Sequence, residues 1–447
     1  MRHFIIEQSD SNITSHSGLS LIGLAVNRHT HLCQQLDNTL ALRHGISHSD
    51  LLKSYIGLLS IGKNDFEAID ARRDDDFFKA ALDIDRVPSV ERLRQRMDER
   101  AEEYLPLVTQ ASIDFLESTR TPITALPMGH VALDADVTPF DNSGSKKEGV
   151  SLTYKKHDGF APMACYLGQE GYCVEFELRK GSQHCQKGTP AVLKRSLERA
   201  RRLTKAPLLL RLDGGNDAVE NIDVVLTHNE QHAKDAPVDF IIKWNPRKED
   251  PQAWLDIARK KARWSEPRPG KRVGLFEVSV KRQWNGYEYS LRRIMRVVER
   301  TIDKHGQHLI LPAVEMEGWW SSLSSKCQEI IDLYADHGTS EQFHSEFKTD
   351  LDIERLPSGK FSTNALVLAC SVLTYNILRW IGQQGLTGPD APLRHKAKRR
   401  RIRTVMQELI YLASKVTETG RRLKLSLGKC FRAWVIFDRL YQRLAYG

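Results

Sequence analysis

The chain has 447 residues and a formal charge of +9, from 66 Lys and Arg against 57 Asp and Glu. Its 40% hydrophobic residues and 28 glycines are globular usage, which excludes wholesale disorder, collagen and low-complexity fibre, and the length predicts about three domains, or two with a large insertion. The charge is concentrated: Asp390 to Gly447 holds 15 Lys and Arg against 4 Asp and Glu, a net +11, leaving −2 for the other 389 residues.

A nearly neutral body with a basic tail implies a polyanionic partner. Seven cysteines without a CxxC pair suggest reduced, cytoplasmic thiols. Met1 to Asn12 has no basic-then-apolar signal region, so export is not expected.

Up to about Thr121 the texture is helical. Asp74 to Leu82 makes a short helix, Asp83 to Val87 a turn, and Pro88-Ser89 opens a second helix that Ser89 can cap. On that helix Arg92, Gln95, Arg96 and Glu99 share a face, the outline of a helix-turn-helix in which Arg92 and Arg96 would meet DNA. An ordinary solvated helical hairpin reads equally well.

From Gly129 strands appear. His130 to Val137 is apolar with two acids near its end, Ala161 to Leu167 and Tyr172 to Leu178 follow, and Pro190 to Leu203 is an amphipathic helix. Leu208 to Leu212 is a short apolar strand delivering Asp213, and a further helix precedes the strand Val238 to Trp244. This order is mixed α/β and compatible with an RNase H-like core. Lys271 to Val298 then carries a hairpin signal at Asn285-Gly286, His308 to Val314 reads as a strand, and helix is expected from near Trp319 past Lys348. The apolar stretch Asn364 to Gly382, broken by Tyr375, Asn376 and Arg379, reads as a buried helix rather than a membrane span. Beyond the linker Gly385 to Pro392, the tail opens with a basic run containing Lys398, Arg399, Arg400 and Arg401. The expected divisions are a helical DNA-binding region over 1–125, a catalytic domain over 126–389 with a β-rich insertion at about 245–318, and a basic region over 390–447.

Three acids stand out by context: Asp136 and Asp213 at strand ends, and Glu341 in a later helix. Carboxylates converging from such positions can hold two hard cations such as Mg²⁺, which activate an attacking oxygen and stabilise a leaving one at a phosphodiester. Asp134, Asp217 and Glu346 compete for the same roles. Tyr334, His337, Glu341 and Lys348 fall on one face of a continuous helix, where the Lys could touch a terminal phosphate and the Tyr and His could position the backbone. Six of the eight tryptophans (Trp244, Trp254, Trp264, Trp284, Trp319 and Trp320) lie among Lys and Arg, suiting base stacking, although core anchoring should account for at least four. Cys165, Cys173, His184 and Cys185 match no common zinc spacing, and no Walker-type loop points to a nucleotide cofactor.

These motifs resemble the DDE transposases of bacterial insertion sequences, in the group whose RNase H-like core is interrupted by a β-rich insertion. That group's Tyr-x2-Arg-x3-Glu-x6-Lys motif stands here as Tyr334, His337, Glu341 and Lys348, with His in place of Arg. Asp136-Val137-Thr138 matches its Asp-x-Thr strand end, and Arg211-Leu212-Asp213-Gly214-Gly215 its Arg-x-Asp-x-Gly context. Likeness extends through Leu351 to Gly359 and Tyr375 to Trp380, covering roughly Leu133 to Trp380. The resemblance implies a transposase in which Asp136, Asp213 and Glu341 hold two Mg²⁺, with Mn²⁺ as a substitute, and cut-and-paste movement proceeds through DNA hairpins. It implies that Trp319 or Trp320 receives a flipped base. Its expected partners are terminal inverted repeats and target DNA, bound by a homodimer in a synaptic complex in the bacterial cytoplasm, without a membrane. A nuclease of the same fold lacking strand transfer, or a non-catalytic DNA-binding derivative, are the alternatives.

Overall fold

The computed structural model describes residues 3–41, 44–393, 395–420 and 422–447, so Met1 and Arg2 of the N-terminal stretch and Arg394 and Arg421 of the basic tail lie outside the described residues. The chain forms two compact units: Met1–Pro122 with Pro139–Phe160 and His344–Gly447, and Ile123–Thr138 with Ala161–Phe343.

The second unit is built on a mixed sheet. Its strands are β1 (Val131–Val137), β2 (Met163–Leu167) and β3 (Tyr172–Glu177), then helix α1 (Thr189–Leu203), β4 (Leu208–Leu212), helix α2 (Val219–Gln231) and β5 (Val238–Lys243). Their spatial order is β3-β2-β1-β4-β5. β2 runs antiparallel to both β1 and β3, while β1, β4 and β5 are mutually parallel neighbours, the arrangement of an RNase H-like core. Central parallel strands are covered on both faces and so read as continuous apolar runs. Leu208 to Leu212, four leucines and Arg211, is close to such a run and is buried at all five positions. The helix joining β3 to β4 has Pro190 in its first turn and buries Val192, Leu193, Leu197 and Ala200 at helical spacing.

After β5 come helix α3 (Pro251–Lys261) and strands β6 (Arg263–Arg268), β7 (Lys271–Trp284), β8 (Tyr287–Ile302) and β9 (His308–Ser321), followed by helix α4 (Cys327–Ala335). The Asn-Gly turn is where the sequence predicts it. Asn285 and Gly286 both have positive φ, 49° and 82°, as a two-residue hairpin of type I′ requires. The insertion is not a separate sheet. β9 returns to pair antiparallel with β5 through Trp319 with Lys243, Trp320 with Ile242 and Ser321 with Ile241, extending the core to nine strands. This corrects the expectation of helix from Trp319. The open edge of β5 takes up that segment as strand, and helix begins only at Cys327.

The first unit is largely helical. The helices Asp76–Leu82 and Val90–Ser118 flank the predicted turn, where Asp83 takes a left-handed conformation (φ 55°), and Ser89 accepts the Arg92 amide at 3.3 Å. Phe361–Leu386 packs along Val90–Ser118, with Asn376 donating to Ser112 at 2.9 Å and the rings of Phe115 and Trp380 6.0 Å apart. Long and apolar enough to cross a membrane, this helix is nonetheless 94% buried within the protein over its most apolar window. Far from being free coil, the tail supplies the paired strands Ser414–Thr419 and Arg422–Leu427 and the helix Trp434–Tyr446.

At the centre of this unit the Glu346 carboxylate accepts from the Arg379 guanidinium, both fully buried, with the Tyr375 hydroxyl alongside. Removing one partner of such a pair strands a charge in the interior, at a cost of about 3–5 kcal/mol. Arg379→Ala should therefore lower the stability measured by urea denaturation by roughly that amount, and the double change Glu346→Gln with Arg379→Met should recover most of the loss.

Candidate active site

Strand register brings two of the three acids together. In the parallel pair β1–β4, Asp134 lies opposite Arg211 and Ala135 opposite Leu212, so the next residues along, Asp136 and Asp213, emerge from adjacent strand ends. Side chains two residues apart on a strand share a face. Asp134 and Asp136 therefore project to one side, together with Arg211 and Asp213.

Asp136 accepts the Val137 amide at 2.7 Å. Its carboxyl is pushed up to about 6, first by burial and then by the negative charge of Asp213, with Glu341 adding in the same direction and His337 opposing. Asp213 precedes a short 3-10 turn, and its Oδ1 accepts from the Asn216 amide nitrogen at 2.7 Å. Glu341 is exposed on the helix Ser340–Ser345. All-oxygen side chains that repel one another suit a hard divalent cation. Among the described residues no group of three or more His, Cys, Asp or Glu is arranged to hold a metal ion. The acids share an electrostatic field without forming a complete coordination shell.

The competing acids are committed elsewhere. Asp134, buried, is gripped by Arg211 through Nε to Oδ1 at 2.6 Å and Nη2 to Oδ2 at 2.7 Å. Asp217 accepts the Trp320 indole N–H at 2.8 Å and the Asn245 amide at 2.9 Å. Glu346 belongs to the buried pair with Arg379. Each of these three is held by a distant partner within its own unit.

The expected continuous helix is interrupted. α4 ends at Ala335, Asp336–Thr339 forms a 3-10 turn, Ser340–Ser345 is helical again, and Glu346–Asp350 is a π-helical turn. Gly338 has open space where a side chain would be, and His337 is drawn inward, its Nδ1 3.2 Å from Asp134 Oδ1. This buried imidazole has its pKa raised: burial works against the charge, but Asp134 and Asp136 outweigh it. His337, expected to position the phosphate backbone, is buried beside Asp134. The Tyr334 ring lies 6.2 Å from Trp319 and 5.7 Å from His337, and burial with Asp213 and Asp136 nearby holds its phenol well above the ordinary tyrosine range. Lys348, in the first unit, donates to the Pro139 carbonyl and lies 3.8 Å from Glu354, with burial lowering its pKa.

The tryptophans expected to stack on bases are mostly core. Trp319 and Trp320 are 2% and 1% exposed, because the end of β9 enters the sheet, and Trp244 and Trp254 are buried too. Trp244, Trp254 and Trp320 surround the Arg293 guanidinium at 4.5–5.0 Å, and Lys243 lies 4.3 Å over Trp319. Neither Trp319 nor Trp320 presents a free face to a base here.

Of the cations assigned to DNA, Arg92 and Lys398 are exposed, while Arg96 points its guanidinium toward His48 Nδ1 at 3.3 Å. Arg399 is half-buried. Arg400 donates to the Leu386 carbonyl at 2.8 Å, and Arg401 binds the buried Asp350 carboxylate at 2.9 Å, so these two stabilise the first unit. Sequence reasoning did not find the Asp134–Arg211 pair. Its signal was the equal two-residue spacing of Asp134 from Asp136 and of Arg211 from Asp213.

No curated protein matches the chain. A solved structure described as a cryo-EM structure of the piggyBac transposase synaptic complex with hairpin DNA aligns over 90% of this chain and 82% of its own, with 11% identity and a TM-score of 0.42. The family model described as Transposase DDE domain group 1 matches residues 2–446. With essentially its whole length matched, the chain belongs to the DDE domain group 1 transposase family.

Proposed function

We propose that this transposase catalyses metal-dependent cleavage and strand transfer at the ends of an insertion sequence. The reading is supported above all by Asp136 and Asp213 at adjacent strand ends, with Glu341 acting on the same carboxyl. Asp136, Asp213 and Glu341 are the residues that would hold two Mg²⁺ ions, or Mn²⁺ in their place. Such ions, when bound, activate an attacking oxygen and stabilise the leaving oxygen of an in-line displacement.

The chain's own groups prepare the site for DNA. Asp136 must give up its proton to act as a ligand, and in the metal-free site it does so as pH passes about 6. Tyr334 keeps its proton, so its hydroxyl can donate to a phosphate oxygen beside the acids. Arg92 and Lys398, exposed in the first unit, supply cations for the phosphate backbone of the terminal inverted repeats. A homodimer would synapse two ends and join them to target DNA, in a bacterial cytoplasm at the nucleoid.

The test is a cleavage and joining assay on end-containing DNA with Mg²⁺. Asp213→Asn should lower the rate by roughly a thousandfold or more, since losing a ligand removes several kcal/mol of transition-state stabilisation. DNA binding should survive. Retained activity in that variant would overturn the assignment, and cleavage without joining would mark a nuclease.

A second prediction concerns pH. Asp136 titrates near 6 in the folded chain, whereas an ordinary carboxyl titrates near ~3.9, so the folded state binds this proton more tightly than the unfolded state does. The favourable contribution is present at acid pH and is lost as pH rises through about 6. Without divalent metal, Asp136→Asn should melt higher than the parent at about pH 8, by on the order of 2–3 kcal/mol, and the two should converge at about pH 4. Calorimetry across that range decides it.

A further inference from the structure

The acids do not stand alone on their elements. Each is a fixed, short distance in sequence from a member of one buried network: Asp134 precedes Asp136 by two residues, Arg211 precedes Asp213 by two, and His337 precedes Glu341 by four. Arg211 joins all three elements. Its fork holds Asp134 at 2.6 and 2.7 Å, and its Nη1 donates at 2.6 Å to the Leu333 carbonyl in the last turn of α4. From the turn that follows, His337 reaches Asp134 at 3.2 Å.

What this network adds can be read from what the backbone already provides. β1 and β4 are hydrogen-bonded neighbours along five paired residues, so their ladder sets the positions of Asp136 and Asp213 without help. No ladder fixes the segment that carries Glu341. It follows α4 through a 3-10 turn containing Gly338, whose surroundings are open, and His337 is the one residue of that turn that is buried. The Leu333 carbonyl held by Arg211, and the buried His337 ring within ion-pair distance of Asp134, are contacts that dock this turn on the strands.

We propose that Asp134, Arg211 and His337 form a positioning network that sets Glu341 against Asp136 and Asp213, with His337 as its adjustable end. The three are positioning residues: they act through Glu341. The inference rests on the reading of Asp136, Asp213 and Glu341 as metal-holding acids. It also assigns a task to the histidine that replaces the arginine of the related motif.

The test uses the full-length protein with Mn²⁺ as probe, its binding measured by electron paramagnetic resonance, beside DNA-end binding without metal and single-turnover cleavage. Residues that orient ligands typically contribute 10–100-fold, so His337→Gln should weaken Mn²⁺ binding by roughly that factor and leave metal-free DNA binding unchanged. In a Glu341→Gln background the same change should have no further effect on Mn²⁺ affinity, because the residue through which it acts is gone. Arg211→Lys, which keeps the charge but loses the fork, should show the same pattern. If Arg211→Lys fails to fold, His337→Gln alone decides. Unchanged Mn²⁺ affinity in His337→Gln, or a loss that adds fully to that of Glu341→Gln, overturns the proposal. If Asp213→Asn binds Mn²⁺ and cleaves like the parent, the acids themselves are misassigned, which is a different failure.

Discussion

The grip of Arg211 on Asp134 is the contact that ties β1, β4 and the end of α4 together. Two charges removed from water cost several kcal/mol each, and only close geometry with every donor and acceptor engaged offsets that cost. Here the fork is bidentate, and a third guanidinium nitrogen is occupied by the Leu333 carbonyl. Both partners sit one strand repeat before a strand end, so the next pair on the same face is Asp136 and Asp213. The raised pKa of Asp136 reflects burial first and the neighbouring Asp213 charge second.

Much of the core could be read from the amino acids alone. Leu208 to Leu212 is apolar at every position but Arg211, as suits a strand covered on both faces, and Asn285-Gly286 can hardly be anything but a hairpin turn. The acids were visible as residues at strand ends. Asp136 is preferred over Asp134 along the chain by its Asp-x-Thr context alone, since both point the same way. What holds Asp134 lies not along the chain but across the strand pair, at Arg211. The same limit applies to Asp217 and Glu346, whose partners Trp320 and Arg379 are 103 and 33 residues away.

Periodicity also misled in recognisable ways. Tyr334, His337, Glu341 and Lys348 keep helical spacing, yet a buried ring seeking a carboxylate and a glycine beside it were enough to break the helix between them. Trp319 and Trp320 sit among cations like stacking residues, but an unpaired strand edge at β5 claimed their segment for the sheet. The basic run of the tail reads as a DNA contact, and two of its arginines satisfy a helix-end carbonyl and a buried Asp350. In each case a long-range partner outweighed a local pattern.

The inserted strands carry their cations in a particular manner. Arg292 is matched by Glu277, Arg296 by Glu317, Arg300 by Glu315 and Lys281 by Glu288, each across to a neighbouring strand. A cationic surface ordinarily gains affinity for DNA by setting free the small ions condensed on the phosphates, and so weakens steeply in salt. Here a phosphate would have to evict a carboxylate that remains tethered alongside and repels it. The ladder thus behaves as an internally buffered zwitterion: it gives the long strands registry, while contributing little of the salt-sensitive, indiscriminate adhesion that its arginine content alone would suggest.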